Sequence, residues 1–279
     1  MVIRTRTQTR FAVLPPSRAA VPSIFHNVQT GTRRYRDLLA KMQRLRGKIY
    51  ADDHAIGATD LTADGRHRLS VDEHSWHILS LDQQGEVVAC LRYLDESDAG
   101  GFDDLWLRHA AVAGCPKLGR KFREAVELTL RRTRQASIRF GEVGGWAVAE
   151  DHRWTVEPLQ IVLAAFALVE LLGSGAGVAT ATFRHSSTRI LQKIGLTALT
   201  AGGDELPPYE DAQYGCLMQA LQFDSRAPNA RFRNWVGELT REMAAAPVIC
   251  PSNLVMALDR VWHGLESPLP APAAALVPA

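Results

Sequence analysis

From Pro158 to Leu172 the sequence is apolar nearly all round, with a proline in the first turn, where a helix tolerates it, and Gly173 to stop it. A helix without a polar face has to be covered on every side, so this segment requires the rest of the chain to supply a sheet and further helices. It is not a membrane span. Its longest apolar run, Ile161 to Val169, has nine residues, against the roughly 18 to 20 that a bilayer needs. A chain of 279 residues, 46% hydrophobic and 22% charged, can bury one large core with a modest appendage.

The flanking segments supply what the apolar helix needs. Tyr35, Leu38, Leu39, Met42, Leu45 and Ile49 recur at three- and four-residue steps and predict an amphipathic helix from Thr32 to about Tyr50, its other face filled by arginines and lysines. A long polar loop, 51–73, leads to a hairpin, His74–Leu81 and Glu86–Leu94, turned at Gly85. The loop 95–104 is expected to be mobile. Lys117–Gln135 reads as a surface helix with a narrow apolar stripe, Ser137–Val148 as a central strand, Val178–Phe183 as a strand and Ser186–Ile194 as a short helix ended by Gly195. Cys216–Phe223 reads as a strand and Arg231–Ala245 as a helix. The sum is an α/β chain with a mixed sheet; no glycine-rich dinucleotide or P-loop motif follows a strand.

Residues 1–30 mix Pro, Thr and Arg without a period and read as a loosely ordered arm with an edge strand at most; residues 267–279, rich in proline, read as a disordered tail. A net charge of +2 is too balanced to predict nucleic-acid binding. The four cysteines are widely spaced and lack zinc-ligand intervals, and the apolar start Phe11–Leu14 breaks at Pro15, so a cytoplasmic protein without structural metal is expected.

Candidate chemistry concentrates in two strands. Glu142 lies inside a strand and is followed by Gly144 and Gly145, a pair that suggests a bulge or a close backbone approach to a ligand. A carboxylate buried there would have a raised pKa and could accept a proton from an amine; it could equally pair with an arginine on a neighbouring strand. Arg92 lies in the apolar run Val87–Leu94 and needs a partner, either Glu142 or a substrate carboxylate held by two hydrogen bonds, and the two roles can coexist. Arg46 and Tyr50 share a helix face; taken alone they read as a solvated arginine and a core-edge tyrosine. Asp72 and Glu73 either bind a cationic group or sit in water at a loop end. The turn after Val148, with Arg153, leads into a helix N-terminus that can seat a phosphate or be an ordinary turn.

The run Thr188-Arg-Ile-Leu-Gln-Lys-Ile-Gly-Leu196, together with the strand, loop and buried helix from Glu142 to Leu172, resembles the core of GNAT-superfamily acyltransferases over roughly residues 32–225. Arg46-Gly-Lys-Ile-Tyr50, Asp72-Glu73, Arg92, and Glu142 followed by Trp146-Ala-Val148 are similar to the autoinducer (acyl-homoserine lactone) synthases and the long-chain N-acyl amino acid synthases. The resemblance implies a mixed twisted sheet flanked by helices on both faces, a GNAT-like domain over 31–225 and a C-terminal helical extension over 226–266. It implies Glu142 as catalytic base, Arg46, Tyr50, Asp72, Arg92 and Trp146 around an amine acceptor, and Val148, Arg153 and Arg189 toward the acyl donor. It implies no bound cofactor and an acyl-CoA or acyl carrier protein thioester as co-substrate. Gly145 stands where autoinducer synthases carry an arginine, and Arg153-Trp-Thr-Val156 replaces a glycine-rich pyrophosphate loop. The first departure counts against lactone production. The second favours an acyl carrier protein as partner, which Lys117, Arg120, Lys121, Arg123, Arg131 and Arg132 could dock, although these residues could as easily be a solvated surface. The resulting expectation is transfer of a medium or long acyl chain to the amine of an amino acid or derivative. An acetyl-CoA-dependent small-amine acetyltransferase and a non-catalytic acyl-ligand or partner-binding protein are the competing readings.

Overall fold

The computed structural model describes residues 9–251. The first eight residues of the arm, the extension beyond residue 251 and the expected tail lie outside the described residues. The front half of the chain forms β1 (Arg10–Leu14), β2 (Val28–Thr30), α1 (Thr32–Asp52), β3 (Trp76–Leu81), β4 (Val87–Asp95), α2 (Gly119–Gln135) and β5 (Arg139–Val148). There follow α3 (Glu157–Leu171), β6 (Gly175–Thr182), α4 (Ser187–Ile194), β7 (Thr197–Ala198), β8 (Thr200–Ala201) and β9 (Asp204–Glu205). Last come β10 (Tyr209–Asp211), β11 (Cys216–Asp224), α5 (Arg233–Ala245) and β12 (Val248–Cys250).

One mixed sheet runs β10, β11, β6, β5, β4, β3, β1, β12, β2, with β7 also on β11. The apolar helix α3 is covered as its composition demands. It lies in a cluster with one face of the sheet, through Val13, Ile78, Leu91, Tyr93 and Ala179, and with α5 through Val236, Leu239 and Met243. The other face carries α1 over Ala12, Leu14, Leu79 and Cys90, and α2 over Phe140, Val178 and Ala220. Helices thus flank both faces, and the fold is the GNAT-like mixed α/β arrangement.

The arm differs from its expectation. Strand β1 is an inner strand, antiparallel to β3 and parallel to β12, with Phe11 to Leu14 all buried. Phe11 and Val13 face α3 while Ala12 and Leu14 face α1. A strand buried on both faces has no apolar and polar alternation, which is why periodicity passed it over.

Candidate active site

The register of β4 against β5 sets Arg92 opposite Gly144 and Leu94 opposite Glu142, with a shift in register between Cys90 and Arg92. Arg92 Nη2 donates to Glu142 Oε1, and the two residues are only 3% and 8% exposed. The glycine pair makes room for them. A Cβ on Gly144 would lie 3.0 Å from Glu142 Oε1 and 3.1 Å from Arg92 Nη2. Gly145, at φ +64°, would place a Cβ 3.2 Å from the Arg92 Cβ and 3.6 Å from Arg46 Nη1. A side chain there would be strained by its backbone and would crowd the stem of Arg92 and the guanidinium of Arg46, so glycine at 145 follows from the arginines it accommodates.

The ion pair leaves polar atoms over. Among the described residues, Arg92 Nε and Nη1 and Glu142 Oε2 are buried without hydrogen-bond partners. Burial pushes the Glu142 carboxyl up, against the opposing pull of Arg92.

Beside it lies a second pair of different construction. Arg46 is fully buried rather than solvated, and its Nη1 and Nη2 reach the Asp72 oxygens at 2.9 and 2.8 Å, with Nη2 also on the His67 carbonyl at 2.5 Å. Asp72 further accepts from Gln43 Nε2 at 2.9 Å and from the Leu69 N–H at 3.0 Å, and its carbonyl meets His77 Nε2 at 2.8 Å. Both Asp72 oxygens are engaged, so the expected contact to a substrate cation gives way to a role in holding Arg46. The partner that buries Arg46 is 26 residues away in sequence, beyond what a helical face can reveal.

Tyr50, Tyr214 and His67 form an aromatic wall by the two pairs. Tyr50 packs edge-on against Tyr214 at 6.2 Å and at a tilt against His67 at 5.7 Å between ring centroids. Tyr50 Oη donates to the Trp146 carbonyl at 3.4 Å. Tyr214, on the turn between β10 and β11, feels the charges of Arg92, Arg46 and Glu142. Glu96, just past β4, accepts the Trp106 N–H on Oε1 at 2.6 Å, while its buried Oε2 is without a partner among the described residues. Burial, with Glu142 nearby, pushes the Glu96 carboxyl up to about 7 despite the Trp106 N–H and Arg92. Cys90, under the Gly145 carbonyl at 3.5 Å, is no nucleophile, since burial pushes its thiol up to about 12.

The remaining expected residues lie apart. The Trp146 side chain packs with the α3 core, on the opposite face from Glu142. Strand β6 pairs with β5 only from Arg139 to Val143, so residues 144–148 splay away from it and Val148 pairs with Ala89 of β4 alone. Arg153 is held by Asp53 at 3.5 Å and by the Val148 carbonyl at 3.5 Å, and Asp53 also binds His185 at 2.9 Å. The first turn of α3 is occupied as well. Thr155 Oγ1 takes the Glu157 N–H, residue 158 is proline, and Leu159 and Gln160 both donate to the Val156 carbonyl. Arg189 is exposed on α4. On α2, Arg120 pairs with Glu124, Arg123 with Asp103 and Arg131 with Glu127, which neutralises half of the expected docking charges.

Between the splay and α4 lies an apolar crevice of about 20 Å³ lined by Val143, Val162, Phe166, Leu191, Leu196 and Phe223, among others. A larger open hollow of about 520 Å³ between α1 and residues 149–151 is lined by none of the unpartnered groups. Among the described residues no group of three or more His, Cys, Asp or Glu is placed to hold a metal, and no helix is long and apolar enough to cross a membrane.

No protein-family model matches the sequence, and no curated protein matches it. The fold is shared with solved acyltransferases, acyl-homoserine lactone synthases prominent among them. The CoA-dependent acyl-homoserine lactone synthase BjaI, in a structure with SAM and isopentyl-CoA, matches over 86% of this chain and 92% of its own at 18% identity and a TM-score of 0.52. The CoA-dependent synthase MesI is similar over 86% of this chain and 98% of its own, at 14% identity and a TM-score of 0.49. FeeM, an N-acyl amino acid synthase from uncultured soil microbes, covers 69% of this chain and 92% of its own at 12% identity and a TM-score of 0.43. At these identities the likeness is one of fold.

Proposed function

We propose that this chain is an N-acyltransferase that moves an acyl group from a thioester, acyl-CoA or acyl carrier protein, to the amine of an amino acid or amino-acid derivative. The observation that carries the reading is the Arg92 and Glu142 pair with its unused atoms: two buried guanidinium nitrogens and one carboxylate oxygen, each without a partner. Such groups are costly unless a ligand completes them. An amino acid offers the complement, a carboxylate for Arg92 Nε and Nη1 and an ammonium for Glu142 Oε2. BjaI, which shares the fold, was solved with SAM and a CoA derivative, isopentyl-CoA.

In this mechanism Glu142, raised by its burial, takes a proton from the amine. The amine then attacks the thioester carbonyl, whose oxygen is polarised by backbone N–H groups of the splayed residues 144–148. The C–S bond breaks and the carrier leaves as a thiol. Arg46, Asp72 and Tyr50 hold the walls of the acceptor pocket.

The size of the crevice favours a second reading on chain length. About 20 Å³ takes little more than a water molecule, so a short or branched acyl group fits with less rearrangement than a long chain, which would need α4 to part from α3. The occupied turn before α3 gives no seat to a CoA pyrophosphate, and the paired arginines of α2 weaken docking of an acidic carrier protein, so the two donors are to be compared directly.

The test is mass spectrometry of extracts from cells expressing wild type beside Glu142→Gln and Arg92→Ala, followed by purified protein with acyl-CoA and acyl carrier protein thioesters of two to twelve carbons (about that range, set by the crevice and by an opened tunnel). N-acyl amino acids present only with wild type establish the reaction, and the chain-length profile decides between the acyl readings. An inert protein with every donor refutes the acyltransferase and leaves the binding-protein reading.

A further inference from the structure

Turning an ammonium into an amide removes two protons from nitrogen. The first must leave before the lone pair can attack, and the second leaves as the tetrahedral intermediate collapses. The C–S electron pair goes to sulfur, one proton ends on the thiol and the other passes to solvent. A single carboxylate accepts one proton at a time.

We propose that Glu96 is a second catalytic carboxylate, its unpartnered Oε2 taking one of the two protons lost by the acceptor amine while Glu142 takes the other. This rests on the acyl-transfer reading. Side chains 92, 94 and 96 fall on one face of β4 and its continuation by strand alternation. The Glu96 N–H donates to the Phe140 carbonyl at 2.9 Å, so Glu96 stands across from Phe140, one pleat from Glu142. Diagonal neighbours at that spacing are within reach of long side chains.

The two glutamates are tethered alike. Oε1 of Glu142 is held by Arg92 and Oε1 of Glu96 by the Trp106 N–H, while Oε2 of each is buried and without a partner among the described residues. The titratable and charged groups that Glu96 feels are Arg92, Tyr93 and Asp95 on β4 and Glu142 on β5; the Trp106 segment adds its backbone N–H. Titration near 7 suits a group that must both take and release a proton at neutral pH.

The test compares kcat against pH for wild type, Glu96→Gln and Glu96→Asp. The reaction uses the acyl thioester and the amino acid that give most product in the preceding assay, followed by thiol release and amide formation. Glutamine keeps an oxygen for the Trp106 N–H, and a thermal melt reports folding. Wild-type kcat is expected to fall on the acid side with an apparent pKa near 7. Glu96→Gln should lower kcat roughly 10- to 100-fold and remove that limb, with Glu96→Asp partly restoring both. A folded Glu96→Gln variant with wild-type kcat and an unchanged acid limb overturns the proposal while leaving acyl transfer intact. If Glu96→Gln does not fold, Glu96→Asp decides: a displaced limb supports the role and an unchanged one overturns it. Wild type without product from any thioester brings down the acyl-transfer reading and this role together.

Discussion

Two arginine and carboxylate pairs meet at Gly145, and they are finished to different degrees. In the Arg46 and Asp72 pair both acid oxygens are bonded, by the guanidinium, by Gln43 and by the Leu69 N–H, and Arg46 Nε alone is left buried without a partner. In the Arg92 and Glu142 pair only one bond is made, and three polar atoms are buried without partners. A half-satisfied buried network is worse than an apolar one, so the pair with three orphaned atoms is the poorer fit to a purely stabilising role. The contrast separates scaffold from site. The fuller pair fixes α1 to the sheet, and under the proposed function the sparser pair is the one that a ligand would complete.

That division can be broken by experiment, starting with the largest effects. Glu142→Gln should reduce turnover by about 10²- to 10⁴-fold with a smaller loss of stability than Asp72→Ala, since the glutamine oxygen still accepts from Arg92, measured by product formation and urea titration on one preparation. A large loss of stability instead would make Glu142 part of the scaffold. Asp72→Ala should do the reverse, destabilising by about 3–5 kcal/mol because Arg46 is left buried and unpaired, as read by urea denaturation.

The scaffold pair should also set the acid sensitivity of the fold. Burial pushes His67 and His77, both beside Asp72, down to about 4. Their folded pKa values lie below the ordinary 6.5, so between about 6.5 and 4 the unfolded chain binds protons that the folded chain does not. Stability is therefore present above 6.5 and lost as the pH falls through this window, by roughly 3 kcal/mol for each histidine. His77→Gln should flatten that slope in denaturation curves collected from pH 7 to 4.5.

Glu96 lies on the unfinished side and should show the opposite sign. Its folded pKa, about 7, is raised above 4.5, so its contribution is full below 4.5 and is lost as the pH rises through 7. Glu96→Gln is then expected to be more stable than wild type at pH 8 by about 1–2 kcal/mol, allowing for solvent screening, and equal to it near pH 4.5. The Arg153 and Asp53 pair, partly exposed at 3.5 Å, supplies the reference for an ordinary contact. Arg153→Ala should cost less than about 1 kcal/mol in a thermal melt, and a larger loss would mean that this pair belongs with the scaffold.

The elements that carry local signals were legible in the sequence: the all-apolar α3, the stripe of α1, the hairpin of β3 and β4, and the glycine stops of α3 and α4. Glu142, Arg92 and the glycine pair were legible too, because charges in apolar strands and glycines in strand interiors break a local rule. What escaped depends on partners far along the chain. Arg46 reads as solvated until Asp72 is placed beside it. Asp72 reads as available until Gln43 and Leu69 are. Tyr214 reaches the site from a turn that sequence cannot bring near Tyr50. Glu96 left a usable trace, since it falls on the same strand face as Arg92, but it stood in a segment read as loop.

The position of β1 has a consequence for how the molecule is made. Val13 pairs with Val248, so on the ribosome β1 can join β3 early, yet its other edge stays bare until β12 has emerged. A nascent apolar strand with an open edge invites pairing with other chains. Closing it late across so long a stretch of chain is expected to be slow, and separable in time from the local pairing of β4 with β5.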